Sequence, residues 1–460
     1  LNVKPLRGMS KLNKFRWITV LFISMIFLLL AACNSEETTI PDPTDEGTEE
    51  PAEESTSTEE ETEESTEESP AVDLGGRTIR IAQHWDLTPE GGTELGDLSV
   101  QRLEEVKEKY NIDIEFVVVP WEEKVNQLTS TILAGEPFAD IIGLDAAQTA
   151  SLVQSDYLIA LNDIVDTNEI QLPQILQDMG TFNGKVYMFN NQLNVSGGMY
   201  YNKTMFEQAG LPDPYEQQEN GEWTWEAMLE AAKTLTTGNQ FGLSGDPNLF
   251  MEYFITSNGG QILDMDSFEV QVDSPEAVEG LEMMNALYNE HRVVKPNEGN
   301  NWEDPRSYFS EGLVGMTQGW VWEAEGRAET AFDWGYVFWP KGPKAEQYST
   351  PVSNLEGMTI PVGVEDPEIV YQIWEDLQLW EFAEEGVLEW FENVMPNLES
   401  IDTAVQMIEN AAPNYWQAYG LQETFYDMNE NIADGTESAS QAVASVKAEA
   451  QASVDEFLNR

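Results

Sequence analysis

The 460-residue sequence predicts an α/β protein of two domains. Three observations carry this. Between residues 78 and 144, short β-branched runs alternate with helically spaced apolar residues, which implies a parallel sheet with crossover helices. Helical spacing again dominates beyond residue 361. An acidic, apolar-poor segment ends near residue 75, and the roughly 385 residues after it exceed one domain of ~100–200 residues.

In chain order, residues 11–33 come first. A basic start (Lys11, Lys14, Arg16) precedes an apolar run from Trp17 to Leu30, then Leu30-Ala31-Ala32-Cys33. This is the signal-peptide pattern, and the run is shorter than the ~20 apolar residues of a membrane span. Cys33 is the single cysteine, so no internal disulfide forms. The sequence resembles the bacterial lipoprotein lipobox, which implies a signal peptide over 1–33 and lipid attachment at Cys33. The alternative is a plain signal peptide or membrane anchor with an incidental cysteine. Residues 34–75 are expected to be a disordered acidic tether, because they bury too little to offset ordering entropy. A coil of that length spans ~35 Å.

The chain carries 84 acidic and 22 basic residues, a net charge of −62. Residues 1–33 hold five of the basic ones, and residues 34–73 hold 17 acids with no Lys or Arg. The folded body is therefore strongly acidic as well. Such a surface repels nucleic acid and anionic lipid, whose phosphates need Lys and Arg. Carboxylates stay charged where Lys begins to neutralise near pH ~10, so an alkaline or saline surrounding is expected.

Within the body, residues 78–82 read as a strand. A helix follows with Val100, Leu103, Val106 and Tyr110 on one face. Residues 113–119 are a second strand, 121–134 a helix, and 139–144 a third strand. Ligands of such sheets bind beyond the carboxyl ends of the strands, which places Gln83-His84-Trp85 and Asp145 at one rim. Asn183-Gly184 is a turn before the strand at 185–189. Residues 197–203 lead into a short helix ending near Gly210. Thr224 caps a helix over 225–235, and Ser274-Pro275 starts another with Ser as N-cap. Strands are expected at 241–244, 314–318, 334–339 and 358–361, with helices to the end.

Several segments in this order carry a family resemblance. They include Ala134-Gly135-Glu136-Pro137 to Asp140-Ile141-Ile142, Gly184-Lys185-Val186-Tyr187, and Tyr200-Tyr201-Asn202-Lys203 to Phe206. They continue with Thr224-Trp225 to Ala231-Ala232-Lys233, Phe309 to Gly312 with Met316, Gly319 and Trp320, and the tail from Ile432 through Ser440 to Phe457. The chain resembles the extracellular solute-binding proteins of bacterial ABC importers, of the sugar-binding, maltose-binding-protein-like kind. The resemblance implies a two-lobed periplasmic-binding-protein-like fold (type II), each lobe a sheet flanked by helices, joined by crossover hinge segments. Laid on this sequence, lobe 1 takes 76–190 and 340–385, and lobe 2 takes 191–339 and 386–460. Hinges are expected at 190–194 and 336–340. Closure follows when ligand contacts both lobes.

Sugar sites stack ring faces on aromatics and match hydroxyls with amides and carboxylates. The chain has 14 Trp. The resemblance implies that Trp320 and Trp416 stack on sugar, that Asp145 bonds hydroxyls, and that His84 and Trp85 contact ligand from the first rim loop. Asn354, Glu356 and Gly357 lie in a loop that touches ligand in relatives. Each has a structural alternative: core packing for Trp320, helix packing for Trp416, a helix N-cap for Asp145, an exposed loop position for His84. Trp302, Trp322, Trp339 and Glu323 are further candidates. The sequence departs from the maltose-binding pattern around 190–195, where a Glu contact is absent.

The resulting expectation is a non-enzymatic, lipid-anchored extracellular receptor, monomeric, that delivers a carbohydrate to ABC transporter membrane subunits. No cofactor or metal is expected: two histidines and no ligand cluster, no G-x-S-x-G elbow and no phosphate loop are present. The alternatives are a sensor lobe serving a signalling receptor and a secreted carbohydrate-active enzyme with paired carboxylates.

Overall fold

The computed structural model describes residues 72–167, 170, 172–191, 197–352 and 355–459. The signal region, Cys33 and nearly all of the acidic segment lie outside the described residues, as does Asn354. In chain order the strands are β1 (Arg77–Gln83), β2 (Ile112–Val118), β3 (Ile141–Asp145), β4 (Leu158–Ile159), β5 (Thr181–Phe182), β6 (Lys185–Val186), β7 (Gly197–Asn202), β8 (Phe241–Ser244), β9 (Val314–Trp320), β10 (Trp334–Val337), β11 (Thr350–Val352), β12 (Glu356–Pro361) and β13 (Ala411–Pro413).

The first sheet has the order β2-β1-β3-β12-β4. β1 runs parallel to β2 and β3, as the strand–helix alternation requires. β12 returns from far along the chain and pairs antiparallel with β3, setting Glu356 opposite Asp145. Alternation along β1 sends Ile79 and Ile81 into one core and Ala82 into another. On the Ile79 face, Val106 and Tyr110 of the helix Glu94–Tyr110 meet Val370 and Trp374 of the helix Pro367–Leu377. Burying each such aliphatic side chain contributes about 1.5–3 kcal/mol.

The second sheet has the order β10-β7-β9-β8. β7 is buried at every residue and pairs antiparallel with β9, with Gly197 opposite Trp320. β8 lies parallel to β9 on the outer side. The helix Pro247–Ser257 behind this sheet is buried on all faces, apart from half-buried Asn248.

The chain crosses between the sheets three times. Phe189 still exchanges hydrogen bonds with Met358 of β12, and Gly197 already belongs to β7. The second crossing runs from β11, where Thr350 Oγ1 accepts from Gly197 N at 3.0 Å, to Glu356. The third follows residue 377: Arg102 of the first lobe holds Asp376 and Gln378, whereas Ser400 Oγ accepts from Tyr336 N in the second sheet. The hinge expected at 336–340 is therefore corrected. Tyr336 and Val337 are paired with β7, and Lys341 and Gly342 bond Trp223 and Ser257 of the second lobe. The return to lobe 1 comes nearer residue 350 than residue 340.

Candidate ligand-binding site

The first rim is built where β1, β2 and β3 end and β12 begins. Its centre is Gln83, whose Nε2 donates to Glu356 Oε2 at 2.9 Å. Gln83 Oε1 accepts from Lys124 Nζ at 3.2 Å and from His84 N at 2.8 Å. Lys124 is fully buried and also donates to Gly143 O at 2.8 Å. A Cβ at Gly143 would sit 2.1 Å from Gln83 Nε2, so only glycine leaves room for this amide. The His84 ring meets Trp85 and Trp121 edge-on, at centroid distances of 4.3 and 5.0 Å. Trp85 stands out from the rim, 46% exposed.

Burial dominates the electrostatics here. It pushes the Glu356 carboxyl up to about 7, with Lys124 opposing and Asp145 adding to the rise. It pulls His84 down to about 4, with Lys124 acting in the same direction. Asp145 is raised by burial too, although helix-capping amides and Lys124 work against that.

The second rim lies where β8 and β9 end. Trp320 closes β9, and Trp302 and Trp322 cluster with it. The Trp320 and Trp322 planes are 13° apart with centroids 6.1 Å apart. Trp302 and Trp322 are about half exposed. Arg306 lies 3.7 Å over the Trp302 ring. A buried carboxylate fixes this group: Glu323 accepts from Trp320 N at 3.2 Å, Arg306 Nη2 at 2.9 Å and Arg327 Nη2 at 2.8 Å. Tyr200 OH donates to Trp320 O at 2.6 Å. Asp246, just past β8, caps the helix Pro247–Ser257, and burial pushes its carboxyl up to about 6. Asn297 joins Gly245 O to Asn301, and Asn301 reaches Glu430. Polar acceptors therefore flank the indole cluster.

Connectivity limits how far apart the rims can lie. Glu356 is the first residue of β12 after the second crossing, and Trp320 pairs with Gly197, the first of β7 after the first crossing. Thr350 holds Gly197, and six residues of chain span at most about 20 Å. Both rims thus sit at the sheet ends where the chain passes between lobes.

The sequence candidates separate accordingly. His84, Trp85 and Glu356 form one rim, and Trp320 anchors the other. Asp145 serves as N-cap of the helix Ala146–Gln154: its Oδ1 accepts from Gln148 N at 2.6 Å, and the residue is 6% exposed. The stacking role for Trp416 is corrected. Trp416 is fully buried, donates its indole N–H to Glu252 Oε1 at 2.8 Å, and packs on Phe425, so it has no free face. Its turn, Trp416–Tyr419, rests against the helix Ala146–Gln154 of the first lobe. Trp339 is likewise core, stacked on Tyr253. Lys124, Asp246, Arg306 and Trp121 were not singled out from sequence. The signal for Asp246 was legible: Asp-Pro after a strand is the same N-cap pattern as Ser274-Pro275. Lys124 follows two glutamates and reads as a surface residue. Among the described residues, no group of three His, Cys, Asp or Glu is placed to hold a metal ion.

Two α/β lobes, each offering a rim at the crossover ends of its sheet, define a two-lobed solute-binding protein. The chain belongs to the bacterial extracellular solute-binding protein family, whose model matches residues 101–412. Solved structures similar to it include the ABC substrate-binding protein of Listeria monocytogenes in complex with cycloalternan, at 16% identity and TM-score 0.64, covering 84% of this chain and 99% of that one. Another is UgpB of Mycobacterium tuberculosis with glycerophosphocholine, at 15% identity and TM-score 0.63, covering 83% and 100%. A third is the GacH receptor of Streptomyces glaucescens with acarbose, at 18% identity and TM-score 0.62, covering 84% and 99%. A binding protein of Brucella abortus (strain 2308) is 27% identical over 225 residues, 46% of this chain. The match spans about half the length of that relative, 53%. The family and these neighbours are binding proteins, not enzymes. The family is extracellular.

Proposed function

We propose that the protein captures a carbohydrate between its two rims and delivers it to an ABC importer, held at the outer face of the membrane by lipid on Cys33. The cluster of Trp302, Trp320 and Trp322 is the observation that carries this reading. Two half-exposed indoles, Trp302 and Trp322, packed on the partly buried Trp320 suit the apolar faces of sugar rings, and the carboxylates and amides beside them suit hydroxyls. Lys124 at the first rim donates to protein oxygens, and Arg306 and Arg327 share Glu323 at the second. A neutral sugar or oligosaccharide is the solute this lining suits best. Contacts to both lobes favour the closed arrangement.

The test is a thermal-shift screen with maltotriose, linear and cyclic gluco-oligosaccharides, pentitols and glycerophosphocholine. A ligand at 100 times its Kd stabilises by about 2.7 kcal/mol. A shift with a neutral sugar supports the reading, and a shift with the phosphodiester alone refutes it. For the anchor, a Cys33→Ala variant expressed with its leader is expected in the medium rather than the membrane fraction. Unchanged membrane retention would overturn lipid attachment at that residue.

A further inference from the structure

We infer that Lys124 is a positioning residue that turns the polar centre of the first rim into a hydrogen-bond acceptor, so that this rim selects solutes presenting free hydroxyl groups. This rests on the reading that a solute binds at the rim.

The ammonium of Lys124 has three donors and no lone pair. It is fully buried, 4.3 Å from the Trp121 ring, and donates to Gly143 O and Gln83 Oε1. It therefore settles which end of the Gln83 amide faces inward: the oxygen turns to Lys124, and the NH2 group is left for Glu356 Oε2. The amide oxygen next settles His84. His84 Nδ1 lies 3.0 Å from Gln83 Oε1, an atom that only accepts, so Nδ1 carries the ring proton. In the neutral imidazole, Nε2 is then an acceptor. Burial and Lys124 both keep the ring neutral. The charged and titratable groups facing one another here are Lys124, Glu356, Asp145 and His84. Asp145 spends Oδ1 on its helix cap. Among the described residues, Glu356 Oε1 has only His84 Nδ1 near it, at 3.7 Å, and His84 Nε2 has no hydrogen-bond partner. Above pH 7, where Glu356 is ionised, both can therefore accept from solute beside the exposed Trp85. One buried cation thus sets an amide orientation, an imidazole tautomer and the hydrogen-bonding sense of the surface. A site that bonds a ligand hydroxyl discriminates strongly against an analogue lacking it, because its buried polar groups are then left unpaired.

The experiment has two arms. The first needs no ligand. The chain has two histidines, so nitrogen-15 imidazole spectra of wild type and His291→Asn assign His84 directly. At pH 8 the proposal expects the Nδ1–H tautomer in wild type and a shift toward Nε2–H in Lys124→Met. An Nε2–H tautomer in wild type overturns it without any Lys124 variant having to fold. The second arm compares maltotriose and the cyclic gluco-oligosaccharides of the screen with their O-methylated forms. Wild type is expected to prefer the free sugar by about a hundredfold, and Lys124→Met to lose most of that preference. Equal binding of free and methylated sugar by wild type overturns the selection. If no sugar binds, the carbohydrate reading fails, while the tautomer still decides the role of Lys124.

Discussion

Gln83 and Glu356 are joined at 2.9 Å across 273 positions of sequence. The bond ties the end of β1 to the first residue of β12, directly after the chain has crossed back from the second lobe. It places the first rim beside the second crossing between the two sheets. Gly143 makes the approach possible from below, and Lys124 orients it.

Gly143→Ala is expected to displace Gln83 and abolish ligand-induced stabilisation. The added methyl has no space, since the amide nitrogen would lie 2.1 Å away. Overpacking of this kind costs about 1–3 kcal/mol. Chemical denaturation and the thermal-shift screen measure the two effects. Retained ligand response would show that Gln83 is dispensable.

Glu323→Ala is expected to destabilise the second lobe by about 3–5 kcal/mol, because it leaves Arg327 buried without its carboxylate. Arg327 and Glu323 are each almost completely buried and 2.8 Å apart. Arg306 and the Trp320 backbone lose the same partner. Urea unfolding is the check, and a loss under about 1 kcal/mol would place the ion pair among weak surface contacts.

Trp416→Ala is expected to cost about 3–5 kcal/mol, the range for large core aromatics. Glu252 loses its indole donor as well. Residual folded protein should bind solute with near-normal affinity. A large affinity loss without a stability loss would return Trp416 to the site.

The pH dependence has a definite sign. Glu356 is raised from 4.5 to about 7, so the folded state holds its proton more tightly than the unfolded state. Stability from this group is full below 4.5 and declines as pH rises through 7, by about 3 kcal/mol at most. Asp246, raised from 3.8 to about 6, acts in the same direction over a lower window. The melting temperature of wild type relative to Glu356→Gln should therefore fall between pH 5 and pH 8. A difference that rises over that interval would contradict the burial of this carboxyl. Above pH 7 the ionised Glu356 is a better acceptor, so the ligand-induced shift should grow.

Net charge supplies a separate expectation. At −62 the chain repels itself, and salt screens that repulsion. Raising ionic strength from low salt to about 1 M should raise the melting temperature. A flat response would remove the saline or alkaline interpretation of the acidity.

Much of the first lobe was legible because its helices keep one face exposed. Val106 and Tyr110 recur at helical spacing, and β1 alternates. The helix Pro247–Ser257 was not legible, because burial on nearly every face erases the periodicity. The hinge was misplaced for a related reason. Residues 336–340 resemble a strand running into a proline stop, yet their partners are β7 and the segment near Trp223, which only long-range pairing reveals. In the site, Trp320 was identifiable from its place after a strand. The burial of Trp416 was not legible, because its neighbours give no sign that Glu252, 164 positions away, bonds its indole. Lys124 was invisible because its burial comes from Trp121 and Gly143 around it, not from its own helix pattern.

The most direct test is calorimetric titration of the strongest sugar from the screen into Trp320→Ala and Glu356→Ala. The two residues sit on different sheets, and neither substitution removes a fully buried side chain. Capture between opposed rims predicts that each variant stays folded and loses at least about tenfold in affinity, or ~1.4 kcal/mol. Wild-type affinity in either variant would contradict a site shared by both lobes.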